Sequence, residues 1–306
     1  MSPYQAPWWL PGGHLQTVYA ALSPAPRIAW RRERWDTPDG DFIDLDWAGG
    51  GDGPLLALFH GLEGGSSSHY ARRIAAEAQR LGWRVVVPHF RGCSGVINRL
   101  PRAYHSGDSA ELDWILRRLR PAYAAGVSLG GNVLLKWLGE QGAGAAQLLR
   151  RAAAVSAPLD LAASGGALDR GVNRRLYTRV FLTTMKAKTY ARITLYRTPI
   201  DERRLARART LHEFDDIVTA PLHGFRDADD YWARASSGPW LEHIRVPTLL
   251  LNARNDPFLP ARALEAAARR AAPAVQREFP AGGGHAGFPG RGHWLARRIL
   301  AFLDAP

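Results

Sequence analysis

Short apolar segments alternate with helical patterns along most of the chain. The apolar segments predict strands at 41–47, 54–59, 83–88, 122–127, 151–155, 246–252 and 275–280. Apolar residues at helical spacing lie between most of these strands, at 70–81, 108–119, 129–140, 260–271 and 291–303. Strands and helices in alternation predict an α/β protein with a mostly parallel central sheet and helices on both faces.

The interval 158–245 breaks this alternation, because it is charged, mostly helical in pattern and placed between two core strands. We expect it to form an inserted helical cap, or lid, over the strand ends. Residues 1–157 and 246–306 would then form the core, with an N-terminal arm at 1–29. The chain of 306 residues is long for one domain, but α/β enzymes with a single sheet often reach this length.

Composition indicates a protein of a reducing compartment. Cys93 is the single cysteine, so no intramolecular disulfide can form. The N-terminal segment 1–16 has no basic region and is interrupted by prolines, and the chain contains no run of about 18 apolar residues. We therefore expect a soluble cytoplasmic protein, and the oligomeric state stays unknown.

Ser128 lies in the segment GVSLGG, at the turn from a predicted strand to a predicted helix. A sharp turn at this point forces strained backbone angles and brings the chain so close to itself that glycine is needed around the serine. These features are typical of the G-x-S-x-G elbow, which presents a nucleophilic hydroxyl at the edge of a sheet.

Polar residues follow three other predicted strands at the edge where parallel sheets bind their ligands. His60 follows strand 54–59, Asp256 follows strand 246–252, and His285 follows the last strand. The chain order serine, aspartate, histidine is that of the α/β-hydrolases. A serine hydroxyl needs an imidazole to take its proton and a carboxylate to orient the imidazole and stabilise its charged form.

These residues predict hydrolysis of a carboxylic ester through an acyl-enzyme on Ser128. His285 would act as general base and acid, and Asp256 would orient it. Backbone N–H groups of Leu62 and Leu129 would form the oxyanion hole. We expect a small-molecule or lipid ester as substrate, with no cofactor and no metal ion.

Other side chains compete for these roles. Asp160 is the alternative acid, because some hydrolases of this fold carry the acid one strand earlier, and His293 is a weaker alternative base. Cys93 could suggest a thiol nucleophile, but no histidine is obviously paired with it, which favours a packing role. His89 and His105 are candidates to line the pocket, with core or capping roles as the alternative.

Seven motifs extend over essentially the whole chain: PWWLPGGHLQT at 7–17, HGLEGGSSSHY at 60–70, HFRGCSG at 89–95, YHSGD at 104–108, GVSLGGN at 126–132, NDPF at 255–258 and GGGHAGF at 282–288. This run of motifs resembles the YheT-like α/β-hydrolases, also called the AB hydrolase 4 family. Ser128, Asp256 and His285 fall on the triad positions of that family. Val127 departs from the family, in which an aromatic residue often precedes the nucleophile.

The resemblance implies a serine hydrolase of the short-chain carboxylesterase or acylglycerol lipase kind, with animal relatives that act on lipid and phospholipid esters. Two alternatives stay open. One is a phospholipase-type hydrolase that works at anionic membranes, and the other is a binding protein that kept the fold without turnover. The head group and the acyl-chain length depend on the cap, which resembles relatives least.

The net charge of +12 is concentrated in one part of the chain. Residues 170–210 contain ten Arg and two Lys against Asp201 and Glu202, a local balance of +10, whereas 213–230 is acidic. No nucleic-acid-binding signature accompanies the basic segment, so we expect no nucleic-acid partner.

Within 170–190, apolar residues recur at helical spacing among basic ones, with Val172, Leu176 and Val180 in one row and Tyr177, Phe181 and Met185 in a neighbouring row. Such a helix can lie on an anionic membrane, with its arginines among the head groups. Alternatively, it covers the active site and its arginines pair with the segment 213–230. The sequence favours the second interpretation, because an inserted cap must bury an apolar face and the opposite charges lie close along the chain.

Overall fold

The computed structural model describes residues 2–290 and 292–305. Its centre is an eight-stranded sheet in the order β1-β2-β4-β3-β5-β6-β7-β8. The strands are β1 (Arg31–Asp36), β2 (Phe42–Ala48), β3 (Leu55–Phe59), β4 (Arg84–Pro88), β5 (Tyr123–Val127), β6 (Arg151–Val155), β7 (Thr248–Leu251) and β8 (Val275–Glu278). β2 runs antiparallel to both β1 and β4, and the other neighbouring strands are parallel.

The helices are α1 (Gly13–Leu22), α2 (His69–Arg80), α3 (Ser109–Leu119), α4 (Leu129–Gln141), α5 (Leu161–Leu168), α6 (Gly171–Asn173), α7 (Arg179–Leu195), α8 (Glu202–Arg207), α9 (Leu211–Phe214), α10 (Ala220–His223), α11 (Ala228–Ala235), α12 (Ala261–Ala268) and α13 (Trp294–Leu303). Short 3₁₀ turns follow α4 and α11, at Gly142–Gln147 and Gly238–His243. A π-helical turn joins α6 to α7 at Arg174–Thr178, and another joins α9 to α10 at Asp215–Thr219. No helix of the described chain has the length and apolar character needed to cross a bilayer.

Apolar layers cover both faces of the sheet. Because side chains alternate along a strand, Leu56 and Leu58 of β3 face one layer, whereas Ala57 and Phe59 face the other. Helices α2 and α13 pack on the first face, and α3 and α4 pack on the second. The α/β fold class with a mostly parallel, two-sided sheet and an inserted helical cap is therefore confirmed.

Helices α5 to α11 lie between β6 and β7 and contain an apolar cluster of their own. This cluster includes Phe258 and Leu259, which belong to the loop after β7. The cap thus packs directly on the loop that carries Asp256. The exact boundaries of the cap, at 158 and 245, stay a prediction.

Two elements, α1 and β1, have no counterpart among the predicted ones. β1 has the sequence RRERWD and lies at the sheet edge, where it pairs with β2 alone and needs no apolar alternation. Charged residues on an edge strand discourage pairing with other chains. α1 lies within the predicted arm, and its large apolar side chains point to solvent, so the usual apolar signal of a packed helix is reversed.

Candidate active site

Ser128 occupies a strained turn between β5 and α4, with φ 54° and ψ −121°. A non-glycine residue in such a conformation costs about 1–3 kcal/mol, so its surroundings must enforce it. The Ser128 N–H donates to Val155 O of β6 at 2.8 Å. A Cβ on Gly130 would lie 2.5 Å from Phe59 O, and one on Gly126 would lie 2.4 Å from Gly130 O. Glycine is therefore required here by close backbone approach.

A chain of hydrogen bonds joins Ser128, His285 and Asp256. His285 Nε2 lies 3.0 Å from Ser128 Oγ, and His285 Nδ1 lies 2.9 Å and 3.1 Å from the two carboxylate oxygens of Asp256. An ionised carboxylate only accepts hydrogen bonds, so Nδ1 donates and Nε2 is left to accept the serine proton. The structure thus brings together the three residues that the sequence selects.

The surroundings of Asp256 and His285 fix both side chains. The Asp256 carboxyl is fully buried, and its Oδ1 accepts a hydrogen bond from Phe258 N–H at 2.9 Å. The Phe258 ring stacks on the His285 imidazole with ring centres 4.1 Å apart. The imidazole is therefore held between its two hydrogen-bond partners, and the Phe258 ring covers one of its faces.

The N-terminal helix α1 holds the loop that carries His285. Thr17 Oγ1 accepts a hydrogen bond from His285 N–H at 2.8 Å, and Gln16 Oε1 accepts one from Gly283 N–H at 2.7 Å. Gln16 Oε1 also accepts from Asn255 Nδ2 at 2.9 Å, which ties the same helix to the residue before Asp256. Sequence reasoning missed this role, because the side of α1 that packs on the loop is polar and its apolar side faces solvent.

His60 shapes the loop after β3 and is fully buried. Burial lowers the pKa of His60 to about 3, so the ring is neutral at physiological pH. Its Nδ1 donates to Gly61 O at 2.8 Å, and its Nε2 accepts from Phe90 N–H at 3.1 Å. Both ring nitrogens are thus engaged in holding the loop, and His60 has a structural function.

The amides of this loop are nearly all anchored. Gly61 N–H donates to the Tyr70 hydroxyl at 2.8 Å, and Glu63 N–H donates to the Tyr104 hydroxyl at 3.0 Å. The Leu62 N–H lies between them, and none of the hydrogen bonds formed by the described residues uses it. Two anchored amides therefore flank one unused amide, in a loop that lines the same cavity as Ser128.

A cavity of about 130 Å³ opens beside Ser128. The loop residue Leu62 and the first α4 residue Leu129 line it together with many residues of the cap. The apolar part of the cap wall comprises Leu161, Leu168, Met185, Leu211, Phe214 and Val218. Several polar side chains interrupt this wall, among them Arg192 and Asp215. Lys188, which also lines the cavity, places its Nζ 3.0 Å from Glu63 Oε1. The cap thus supplies most of the surface that a bound molecule would touch.

The alternative acid and base lie elsewhere. Asp160 is exposed and caps α5, where its Oδ1 accepts a hydrogen bond from Ala163 N–H at 2.9 Å. His293 precedes α13 and lies 3.1 Å from Glu77 Oε1 through its Nδ1. The carboxylate that contacts His285 is that of Asp256 alone among the described residues.

The remaining candidates separate into core and pocket residues. His89 is buried, and its Nε2 lies 2.7 Å from Asp46 Oδ2, whereas His105 lines the cavity. Burial raises the pKa of the Cys93 thiol to about 11, and the thiol accepts a hydrogen bond from Lys188 Nζ at 3.4 Å. A thiol with a raised pKa is a poor nucleophile at neutral pH, which agrees with a packing role.

The sequence is similar to proteins of a known family. A family model described as "alpha/beta hydrolase fold" matches residues 54–291. The chain is 38% identical over 314 residues to the Escherichia coli (strain K12) protein named "Putative esterase YheT", and the match covers 95% of this chain and 89% of that protein.

A more distant relative and a solved structure are also similar to this chain. The chain is 30% identical to "Phospholipase ABHD3" of Mus musculus over 282 residues, which are 87% of this chain and 68% of that protein. Among solved structures, an esterase from Exiguobacterium antarcticum superposes with a TM-score of 0.58 at 13% identity, over 89% of this chain and 99% of that one. At this identity the likeness shows a shared fold only.

Thr17→Val should lower kcat for a p-nitrophenyl ester about ten-fold with little change in KM, because the loop of His285 loses the hydroxyl that fixes it. Thr17→Ser keeps the hydroxyl and is the matched control. Steady-state kinetics, with thermal unfolding of each variant, make the test. A rise in KM or a loss of thermal stability, with kcat unchanged, would show that Thr17 has no positioning role.

Proposed function

The chain belongs to the alpha/beta hydrolase fold family, and we propose that it is a serine hydrolase that cleaves carboxylic esters. The observation that carries the proposal is the hydrogen-bonded chain from Ser128 Oγ through His285 to Asp256, at the edge of a cavity. Relatives named as an esterase and a phospholipase support the same reaction class.

The first half of the proposed reaction forms an acyl-enzyme. Ser128 Oγ attacks the ester carbonyl carbon while His285 Nε2 takes the hydroxyl proton, and Asp256 stabilises the resulting imidazolium. The tetrahedral intermediate then collapses, the bond to the alkoxy oxygen breaks, and His285 gives its proton to the departing alcohol. The acyl group remains on Ser128 as an ester.

The second half releases the acid. Water enters the position of the alcohol, and His285 Nε2 takes one of its protons as the oxygen attacks the acyl carbon. Collapse of the second tetrahedral intermediate breaks the bond to Ser128 Oγ, which regains its proton from His285. The products of a full cycle are one alcohol and one carboxylic acid.

Two backbone amides are suited to hold the oxyanion of both intermediates. The Leu129 N–H is the first of α4, where N–H groups have no partner within the helix and the helix dipole favours negative charge. The Leu62 N–H lies between the two anchored amides of the opposite loop. Donors fixed before the reaction stabilise the developing charge without reorganisation.

The cavity supports an ester with an apolar acyl chain as substrate. Its wall is mostly aliphatic and aromatic, and the amine of Lys188 is paired with Glu63 rather than left for a substrate charge. We assign this wall to the acyl chain of a short carboxylic ester or an acylglycerol.

A second candidate is a phospholipase-type activity at anionic membranes. One row of the basic segment 170–190, formed by Val172, Leu176 and Val180, is exposed to solvent instead of covering the cavity. A non-catalytic binding protein is the less favoured alternative, because such a protein has no need for a strained serine hydrogen-bonded to a histidine and a buried carboxylate.

Ser128→Ala should abolish both ester hydrolysis and covalent labelling by a fluorophosphonate probe, because it removes the attacking oxygen. Thermal unfolding should remain cooperative, since the side chain loses one atom at the mouth of a cavity. Gel fluorescence after probe labelling measures the outcome against the unmodified protein. Full labelling of the alanine variant would reject Ser128 as nucleophile, and failure of the unmodified protein to label would favour the non-catalytic alternative.

Asp256→Asn should lower kcat by a factor on the order of 10⁴ with little effect on KM, because the amide stabilises the wrong tautomer of His285 and not its charged form. Asp160→Asn is the matched control and should leave kcat within about two-fold, since asparagine also caps a helix. Initial-rate kinetics on one p-nitrophenyl ester measure both. The reverse pattern would assign the acid to Asp160.

A further inference from the structure

Helix α1 shows an apolar stripe to solvent. Leu15, Val18, Tyr19 and Leu22 follow the spacing i, i+3, i+4 and i+7, and their exposed fractions are 53%, 37%, 43% and 80%. The opposite side of the helix is the one that holds the loop of His285. A surface helix normally buries its apolar stripe and exposes its polar side, and α1 does the reverse.

Two tryptophans extend this stripe toward the N-terminus. Trp8 is 91% exposed and Trp9 is 50% exposed. The Trp9 ring meets the Tyr19 ring edge-on, with ring centres 5.1 Å apart, so the tryptophans and α1 belong to one surface. Trp and Tyr are the side chains that proteins place at a membrane–water interface.

The cap contributes a second exposed stripe. Val172, Leu176 and Val180 lie one helical turn apart, from α6 through the π turn into α7, and all three are exposed. The neighbouring row of Tyr177 and Phe181 packs inward on the apolar cluster of the cap. One row of the basic segment therefore packs on the apolar cluster of the cap, and the other is left to solvent.

The segments that carry the two stripes contact each other beside the candidate active site. The His14 ring of α1 stacks on the Tyr177 ring with centres 5.8 Å apart, and His14 Nδ1 lies 3.1 Å from the Tyr177 hydroxyl. Asn173 Nδ2 donates to Pro257 O at 2.6 Å, next to Asp256. The helices that carry both stripes thus pack on the loops of Asp256 and His285, while the stripes themselves face solvent.

The charge around these stripes is positive and uncompensated. Arg170, Arg174, Arg175 and Arg179 are exposed, and none forms an ion pair with an acidic residue in the described chain. The pairing expected between these arginines and the segment 213–230 is not made. That acidic segment pairs with other arginines, as in Arg204–Asp216 at 2.9 Å. The N-terminal 32 residues contain no Asp or Glu.

We propose that the arm–cap surface, made of Trp8, Trp9, the α1 stripe, the cap stripe and these four arginines, docks on an anionic lipid bilayer. Aromatic and aliphatic side chains enter the boundary between head groups and acyl chains, while the arginines contact the anionic head groups. This proposal rests on the proposed function in one respect, because it names the source of the ester. Exposed tryptophans and unpaired arginines are the two features by which a protein binds an anionic bilayer interface, and this combination favours lipid over a protein partner.

Docking in this orientation serves the chemistry. The buried side of α1 holds the loop of His285 through Thr17 and Gln16, and its exposed side lies on the lipid. The catalytic loop is thus one helix thickness from the bilayer. A lipid ester is thereby brought to the side of the protein on which the loop of His285 lies.

Vesicle co-sedimentation tests the proposal with the full chain carrying Ser128→Ala, so that no lipid is consumed. Vesicles of phosphatidylcholine with 30% phosphatidylglycerol are compared with vesicles of pure phosphatidylcholine, in about 50 mM and about 500 mM salt. We expect at least ten-fold stronger binding to the anionic vesicles at low salt and a clear loss of binding at high salt.

Two double variants locate the contact. Leu15→Ser with Leu22→Ser, and Arg175→Glu with Arg179→Glu, should each reduce binding at least five-fold. The matched controls are Leu81→Ser and the pair Arg269→Glu with Arg270→Glu, which change exposed residues at the opposite edge of the sheet, where the strands begin. These controls should bind as the parent does, and circular dichroism checks that every variant is folded.

Equal binding to both kinds of vesicle, no binding to either, or equal loss in the controls would overturn the proposal. Self-association of the protein that the leucine variants abolish, without vesicle binding, would also overturn it and assign the surface to a second copy. Because binding is read without turnover, failure of docking and failure of ester hydrolysis are separate results. The protein can bind vesicles without hydrolysing an ester, and it can hydrolyse an ester without binding vesicles.

Discussion

The positive φ of Ser128 is the constraint on which the site depends. β5 must turn into α4 within one residue, and this is possible because Gly126 and Gly130 let the backbones of the elbow and of the loop after β3 approach closely. Leu62 and Leu129, whose amides are the proposed oxyanion donors, line the same cavity as Ser128. The positions of the proposed nucleophile and of the proposed oxyanion donors therefore depend on the same backbone packing. A change that moves one of them is expected to move the others.

The histidine side of the site depends on residues far away in sequence. His285 is fixed through its ring by Asp256 and through its backbone by Thr17, which lies 268 positions earlier in the chain. Gln16 binds the same loop and Asn255 together. The N-terminal helix is thus part of the framework of the candidate site. Through His14 and Tyr177 it also contacts the cap, so one helix joins the loop of His285 to the cap.

The core of the fold and the three hydrogen-bonded side chains of the candidate site could be predicted because their signals are local. Buried parallel strands are apolar runs, and the glycines around Ser128 mark the elbow. β1 and α1 could not be predicted in this way, since an edge strand tolerates charge and α1 exposes its apolar side. The placement of the two rows of segment 170–190 depends on long-range packing, which periodicity does not encode.

The most direct test of the account is the location of the acyl group during turnover. The unmodified protein is mixed with excess p-nitrophenyl ester, quenched in acid within milliseconds, digested and mapped by mass spectrometry. The account predicts a burst of about one p-nitrophenol per protein and an added acyl mass on the peptide that contains Ser128. Turnover without any covalent species, or an acyl group on Cys93 or Lys188 instead, would contradict it.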